Sequence, residues 1–161
     1  MELTDALSRG HNMVLDAIDD LPDSDWETPG VVGVWSVREI IAHMASHEEV
    51  LAEILTTLLS GGPTPGLDMM NEDSLHFNTV QVEMRKDKSS TELLAEYKDW
   101  HEKAMALLAQ IPKEMHRSSE NTLPWQGGEC SLEELVIYTN YAHKREHSAQ
   151  IGVFCDKLKM K

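Results

Sequence analysis

The run Ser36-Val37-Arg38-Glu39-Ile40-Ile41-Ala42-His43-Met44-Ala45-Ser46-His47-Glu48-Glu49-Val50-Leu51-Ala52-Glu53-Ile54 decides the fold. Ser36 and Glu39 stand at capping-box spacing: the serine oxygen accepts from the amide three residues on, and the carboxylate returns to the serine amide. Behind that start, Ser36, Ile40, His43, His47, Val50 and Ile54 recur at helical spacing on one face. The pattern predicts a helix to about Ser60, ended by Gly61, Gly62, Pro63 and Pro65.

The same start signal occurs twice more, at Ser89/Glu92 and Ser131/Glu134. The first opens a helix with the apolar stripe Leu93, Leu94, Tyr97, Trp100, Ala104, Leu107, Leu108 and Ile111, closed by Pro112. The second opens a final helix running to about Leu158 along Leu132, Val136, Thr139, His143, His147, Gln150 and Phe154. Upstream, Leu3, Leu7, Val14, Leu15 and Ile18 mark a helix from Leu3 to Leu21 that Pro22 stops. Asp68 to Asp87 reads as one further, less amphipathic helical segment between the second and third long helices. Residues from Pro22 to Trp35 and from Lys113 to Cys130 read as loops, and no stretch sustains the alternation of a strand. The expectation is an all-α four-helix bundle, a single domain over residues 1–161.

The length of 161 residues suits one domain with a continuous core. With 28 acidic against 14 basic residues the net charge is −14, which opposes binding to nucleic acid or to an anionic membrane surface. No apolar run approaches the roughly 18 residues of a membrane span, and the first residues lack the basic and apolar regions of a signal peptide. Cys130 and Cys155 form no Cys-x-x-Cys pair and no disulfide framework, so two thiols in a reducing cytoplasm are expected. Phosphate-binding glycine loops, Gly-x-Ser-x-Gly, His-Glu-x-x-His, the Glu-x-x-His pairs of di-iron bundles and the zinc-deaminase signature are all absent.

Eight histidines stand out, because imidazole is both a metal ligand and a proton carrier near neutral pH. Two pairs, His43/His47 and His143/His147, have the i,i+4 spacing that puts both rings on one helix face within reach of one ion. Random placement gives about 0.4 such pairs in a chain of this make-up, so either pair alone is weak evidence. Both pairs lie on apolar stripes and are expected to face the bundle interior, where their ring nitrogens need partners. A metal supplies those partners, and so do polar side chains or water. His11, His76 and His116 are expected to be solvated, and His101 to pack against the third long helix's stripe.

Val34-Trp35-Ser36-Val37-Arg38-Glu39-Ile40-Ile41-Ala42-His43-Met44 resembles the start of the second helix in the DinB/YfiT-like family. Phe77-Asn78 followed by Arg85 resembles that family's segment before the third helix. Tyr141-Ala142-His143-Lys144-Arg145-Glu146-His147-Ser148-Ala149-Gln150-Ile151 resembles its last-helix signature. The blocks occur in order from Trp35 to Ile151.

The resemblance implies an up-down-down-up bundle, a homodimer, and one divalent metal held by three histidines, carried over here as His43, His143 and His147. His47 departs from the family pattern, as a fourth ligand, a neighbour of the ligands or a proton carrier. An all-nitrogen set suits nickel, zinc or iron and leaves a position open for chemistry on a small-molecule substrate. Such an ion acidifies bound water or holds a thiol as thiolate. Relatives include transferases using low-molecular-weight thiols such as bacillithiol and mycothiol, so a thiol S-transferase or a hydrolase is the leading expectation. A non-catalytic binding or sequestration bundle, and a structural homodimer with a vestigial site, are the alternatives. Glu146 and Asn78 are candidates to orient a ligand ring, and Trp35, Trp125 and Tyr141 to line the pocket mouth. No residue stands out as a nucleophile.

Overall fold

A computed structural model describes residues 1–161. The long helices are α1 (Leu3–Ile18), α2 (Val37–Ser60) and α5 (Ser90–Leu108), with α3 (Pro65–Glu72) and α4 (Ser74–Met84) between the last two. The final rod consists of α6 (Leu132–Glu134), a π-helical stretch Leu135–Tyr141, and α7 (Ala142–Lys159). All three capping boxes form, with Ser36, Ser89 and Ser131 accepting from Glu39, Glu92 and Glu134 amides. α2 ends at Gly61, whose φ of 76° lies where a side chain is strained.

Three local expectations change. The helix expected across residues 68–87 is two helices, broken at Asp73, whose extended backbone frees its carboxylate to cap α4 through the His76 amide at 3.0 Å. The connection read as strandless holds a small antiparallel hairpin, β1 (Leu123–Trp125) with β2 (Gly128–Cys130). Gln126 and Gly127, with φ of 48° and 83°, form the two-residue turn that such a hairpin needs. The last helix is not α-helical throughout, because of the π-helical stretch.

Side-chain contacts fix the helix directions. His11 stacks on Tyr97 and His101, and Ser8 reaches Met105, so α1 and α5 are antiparallel. Arg38 near the start of α2 meets Lys88 just before α5, and Glu48 meets His101 further along, so α2 and α5 run parallel. Gly10 faces Lys144, while Ala17 shares a cleft with Cys155, so α1 and α7 are parallel. Val50 and Ile54 share an apolar cluster with Leu132, Leu135 and Val136, whereas Val37 and Ile40 share another with Ile151 and Phe154, so α2 and the last rod are antiparallel. The bundle is up-down-down-up.

Because α2 and α5 run the same way, the chain must return through α3 and α4. Arg38 secures that return. Its buried guanidinium donates to the carbonyls of Arg85 at 2.9 Å, Lys86 at 2.6 Å and Lys88. Arg85, also buried, bonds Glu49 at 2.6 Å, Glu96 at 2.8 Å and Gln81 at 2.7 Å. Hydrogen bonds from a charged donor are the stronger kind, and stranding their acceptors carries a desolvation cost. Arg38→Met therefore lowers stability by about 2–4 kcal/mol and Tm by several degrees in chemical and thermal unfolding. A loss below about 1 kcal/mol would show that the return path is held elsewhere.

Candidate metal centre

The two histidine pairs meet where α2 crosses the last rod. His43 and His147 are buried, and His47 and His143 are half-buried. The His143 Nε2 lies 2.9 Å from Nε2 of His43 and 2.9 Å from Nε2 of His147. His47 completes the group, with ring centroids 4.5 Å from His43 and 4.4 Å from His143. His43, His47 and His143 offer ligand atoms all within 4.8 Å of one another, a set that could hold a metal ion and that has His47 where the expected triad has His147.

Proton counting tests that fit. His147 Nδ1 donates to Gln150 Oε1 at 2.7 Å, which leaves a lone pair on its Nε2. If His143 Nε2–H donates to His147, that nitrogen has neither a second proton nor a free lone pair to offer the His43 Nε2. If His43 donates instead, the His143 and His147 lone pairs oppose each other. Neutral imidazoles cannot satisfy both contacts, whereas one cation can. The His43 Nδ1 is also buried without a partner. Nitrogens each ~2.1 Å from a single ion stand about 3.0 Å apart at right angles and about 3.4 Å apart in a tetrahedron, so the 2.9 Å contacts are near the first of these. His47 differs, since its Nε2 donates to Asn78 Oδ1 at 3.2 Å.

Burial pushes the imidazoles toward neutrality, and the neighbouring rings add to it. His43 is held far below its usual range, His143 falls to about 2, and His47 to about 4 in spite of its bond to Asn78. His147 is lowered by burial, against the opposing effect of Gln150. The lone pairs are thus available at neutral pH.

His47 and His143 form part of the wall of a cleft of about 870 Å³. Met70, Ser74 and Asn78 supply one side, Trp125 and Gln126 of the hairpin another, and Tyr138, Thr139, Arg145 and Glu146 a third. Asn71 pins the hairpin: its Nδ2 donates to the Pro124 carbonyl at 2.9 Å and its Oδ1 accepts from the Gln126 amide at 3.0 Å. The π-helical stretch leaves Tyr138 exposed at this cleft, and Thr139 donates its hydroxyl to the Leu135 carbonyl. Trp125 lines the cleft as expected, but Trp35 and Tyr141 do not. Trp35 packs against the His43 ring at 5.3 Å, and Tyr141 lies against Gly10. Asn78 orients His47 rather than one of the three expected ligands, and Glu146 is an exposed cleft residue without a histidine partner.

Sequence reading missed a second polar group behind the first. Glu48 and Lys144, 1% and 2% exposed, form an ion pair inside the bundle. Lys144 and His101 hold the Glu48 carboxyl down to about 2 against the opposing effect of burial. His101 Nδ1 lies 3.5 Å from Glu48, and its ring stacks on His11 at 3.8 Å, with planes 2° apart. His11 is therefore half-buried rather than solvated, as is His116, whereas His76 is exposed as expected. No local pattern announces a stack between helices far apart in sequence, although Glu48 on an otherwise apolar face was a signal.

Bundle and site together define a helical protein with a histidine centre opening on a cleft. A family model described as the DinB superfamily matches residues 6–151, and the chain belongs to that superfamily. Among curated proteins and among solved structures nothing matches it.

Two measurements follow from this geometry. A histidine near 6.5 when unfolded but lower when folded binds more protons in the unfolded chain. Its contribution to stability is complete above that pH and declines below it, down to the folded value. Urea unfolding of metal-free protein should thus show stability falling from pH 7 to pH 4, and His47→Gln should flatten that slope by up to about one proton. An unchanged slope would mean that His47 is not held neutral. Asn71→Ala should speed amide exchange in Trp125–Gly128 by about tenfold or more while lowering Tm only slightly, and unaltered exchange would place the hairpin's anchor elsewhere.

Proposed function

We propose that the chain is a metal-dependent enzyme acting on small molecules, first as a low-molecular-weight-thiol S-transferase and otherwise as a hydrolase. The observation behind this reading is the His143 Nε2 within 2.9 Å of the Nε2 atoms of both His43 and His147, beside a cleft that His47 and His143 line. His43, His143 and His147 hold one divalent ion of nickel, zinc or iron, and His47 beside them is oriented by Asn78. When bound, the ion supplies Lewis acidity that keeps a thiol or water deprotonated near neutral pH.

The chain's own residues shape the rest. Trp125 and Tyr138 offer flat apolar surface, and Arg145 and Glu146 offer one charge of each sign. Thr139 is engaged with its own backbone and offers no free hydroxyl to the cleft. The reading includes a single domain, a YfiT-like homodimer, and a cytoplasmic setting, in keeping with the free cysteines Cys130 and Cys155. No helix is long and apolar enough to cross a membrane.

Protein purified without chelator should carry about one divalent ion per chain, and nickel or zinc should raise the Tm of stripped protein by several degrees. His143→Ala should lose the ion while keeping its helical circular dichroism. A wild-type preparation still metal-free after incubation, with unchanged Tm, would overturn the reading. Thiols screened against electrophiles should show turnover that falls at least tenfold on chelation. Ligand-induced stabilisation that survives loss of all three histidines would instead indicate a binding bundle.

A further inference from the structure

Glu48 follows His47 on α2, and Lys144 follows His143 on the last rod. Each charged residue is therefore one position from a member of the histidine group, and the two meet across the same helix crossing. They are almost free of solvent contact. Two further helices join at this level, since Glu48 faces His101 of α5, which stacks on His11 of α1. Gly10 of α1 makes room for the lysine: a Cβ there would stand 3.0 Å from Lys144 Cδ.

An ion pair is an unusual choice for this place. Burying two charges forfeits their hydration, and apolar side chains of similar volume are often no less stabilising. A buried pair does offer directionality. The apolar clusters on either side of this level are satisfied by any close-packed arrangement, because hydrophobic burial has no preferred direction. The histidine group is far less tolerant. Its Nε2 contacts are 2.9 Å long, and sliding one helix by a single residue moves it roughly 1.5 Å.

We propose that the Glu48–Lys144 pair is a positioning device that sets the height of α7 on α2, so that the two histidine pairs converge on one point. Its geometry stands on the contacts above, and its functional meaning rests on the metal reading of the preceding subsection. Glu48 and Lys144 touch neither substrate nor ion. They act through His47 and His143, their neighbours in the chain. Removing the pair opens the histidine group without unfolding the bundle.

The test replaces both charges together, as Glu48→Leu with Lys144→Met, so that no lone charge is left buried. The variant should keep its helical circular dichroism and a Tm within several degrees of wild type. In metal-free protein, the nuclear Overhauser contact between the His43 and His143 ring protons should be lost or strongly weakened. Titrated with Co(II) alone, it should bind at least tenfold more weakly and show an altered visible spectrum. Retention of the ring contact together with a wild-type cobalt titration overturns the proposal. Wild-type protein that takes up no cobalt defeats the metal reading, while the ring contact still decides the positioning role. Should the double variant fail to fold, Gly10→Ala decides by the same readouts. It keeps both charges, favours helix, and pushes on Lys144, so cobalt affinity should fall severalfold without a fall in Tm. An unmoved affinity and ring contact in that variant count against the device.

Discussion

Running α2 and α5 in the same direction obliges the chain to travel back the length of the bundle between them. That return, residues 61–89, cannot be a short turn, and it is where the site acquires its outer wall. Arg38 and Arg85 hold its far end against α2 and the first half of α5 through carbonyls and carboxylates. Phe77 is buried in the core, and the next residue, Asn78, then faces His47. The Phe-Asn-to-Arg motif thus reads as an anchor, a histidine partner and a clamp on one returning segment. Asn71 on the same segment carries the hairpin, which supplies Trp125 to the cleft.

Inside, the core is two apolar clusters rather than one. Leu3, Leu7, Val50, Leu55, Leu108 and Leu132 belong to the first, and Val14, Ile18, Val37, Ile41, Leu93 and Phe154 to the second. Between them lies a layer of polar groups from four helices: His11, Glu48, His101 and Lys144, with the histidine centre alongside. Burying polar groups is costly unless they find partners, and each helix supplies some. Tyr97 places an unpartnered hydroxyl in this layer, and His43 an unpartnered Nδ1. Unpaired polar atoms are uncommon in folded interiors, and their concentration at one level marks this layer as something other than packing. The same desolvation keeps the histidines neutral and their lone pairs free.

The parts legible in the sequence are those set by local rules. Ser36, Ser89 and Ser131 could be read as helix starts because a capping box is complete within four residues. The inward direction of His43 and His147 followed from their apolar neighbours at helical spacing. Features that depend on distant contacts were hidden. Asp73 breaks a helix by capping the next one, a role its type permits but does not demand. Gln126-Gly127 lacks the Asn-Gly or Asp-Gly signal, and three-residue strands are too short to show alternation. The π-helical stretch carries only a run of β-branched and aromatic residues, Val136 to Thr139, followed by Asn140 and Tyr141, which lowers helix propensity without specifying what replaces it. The stack of His11 on His101 joins helices ninety positions apart, and periodicity on either one says nothing about the other.

Charge connects these layers to the surroundings. The chain carries −14 overall, yet its histidine centre is neutral, and the cleft wall holds a single cationic side chain, Arg145, next to Glu146. A field of that sign raises the local concentration of divalent cations and lowers that of polyanions before any contact is made. An ion arriving among neutral imidazoles would meet lone pairs rather than protons, so binding would displace little acid above the lowered pKa values. The cleft then discriminates at short range. Arg145 and Glu146 nearly cancel at a distance, and act only on a molecule small enough to enter beside Trp125 and Tyr138. On the proposed metal-dependent reading, the whole surface would draw cations toward the centre, and a few side chains at the mouth would discriminate among small molecules.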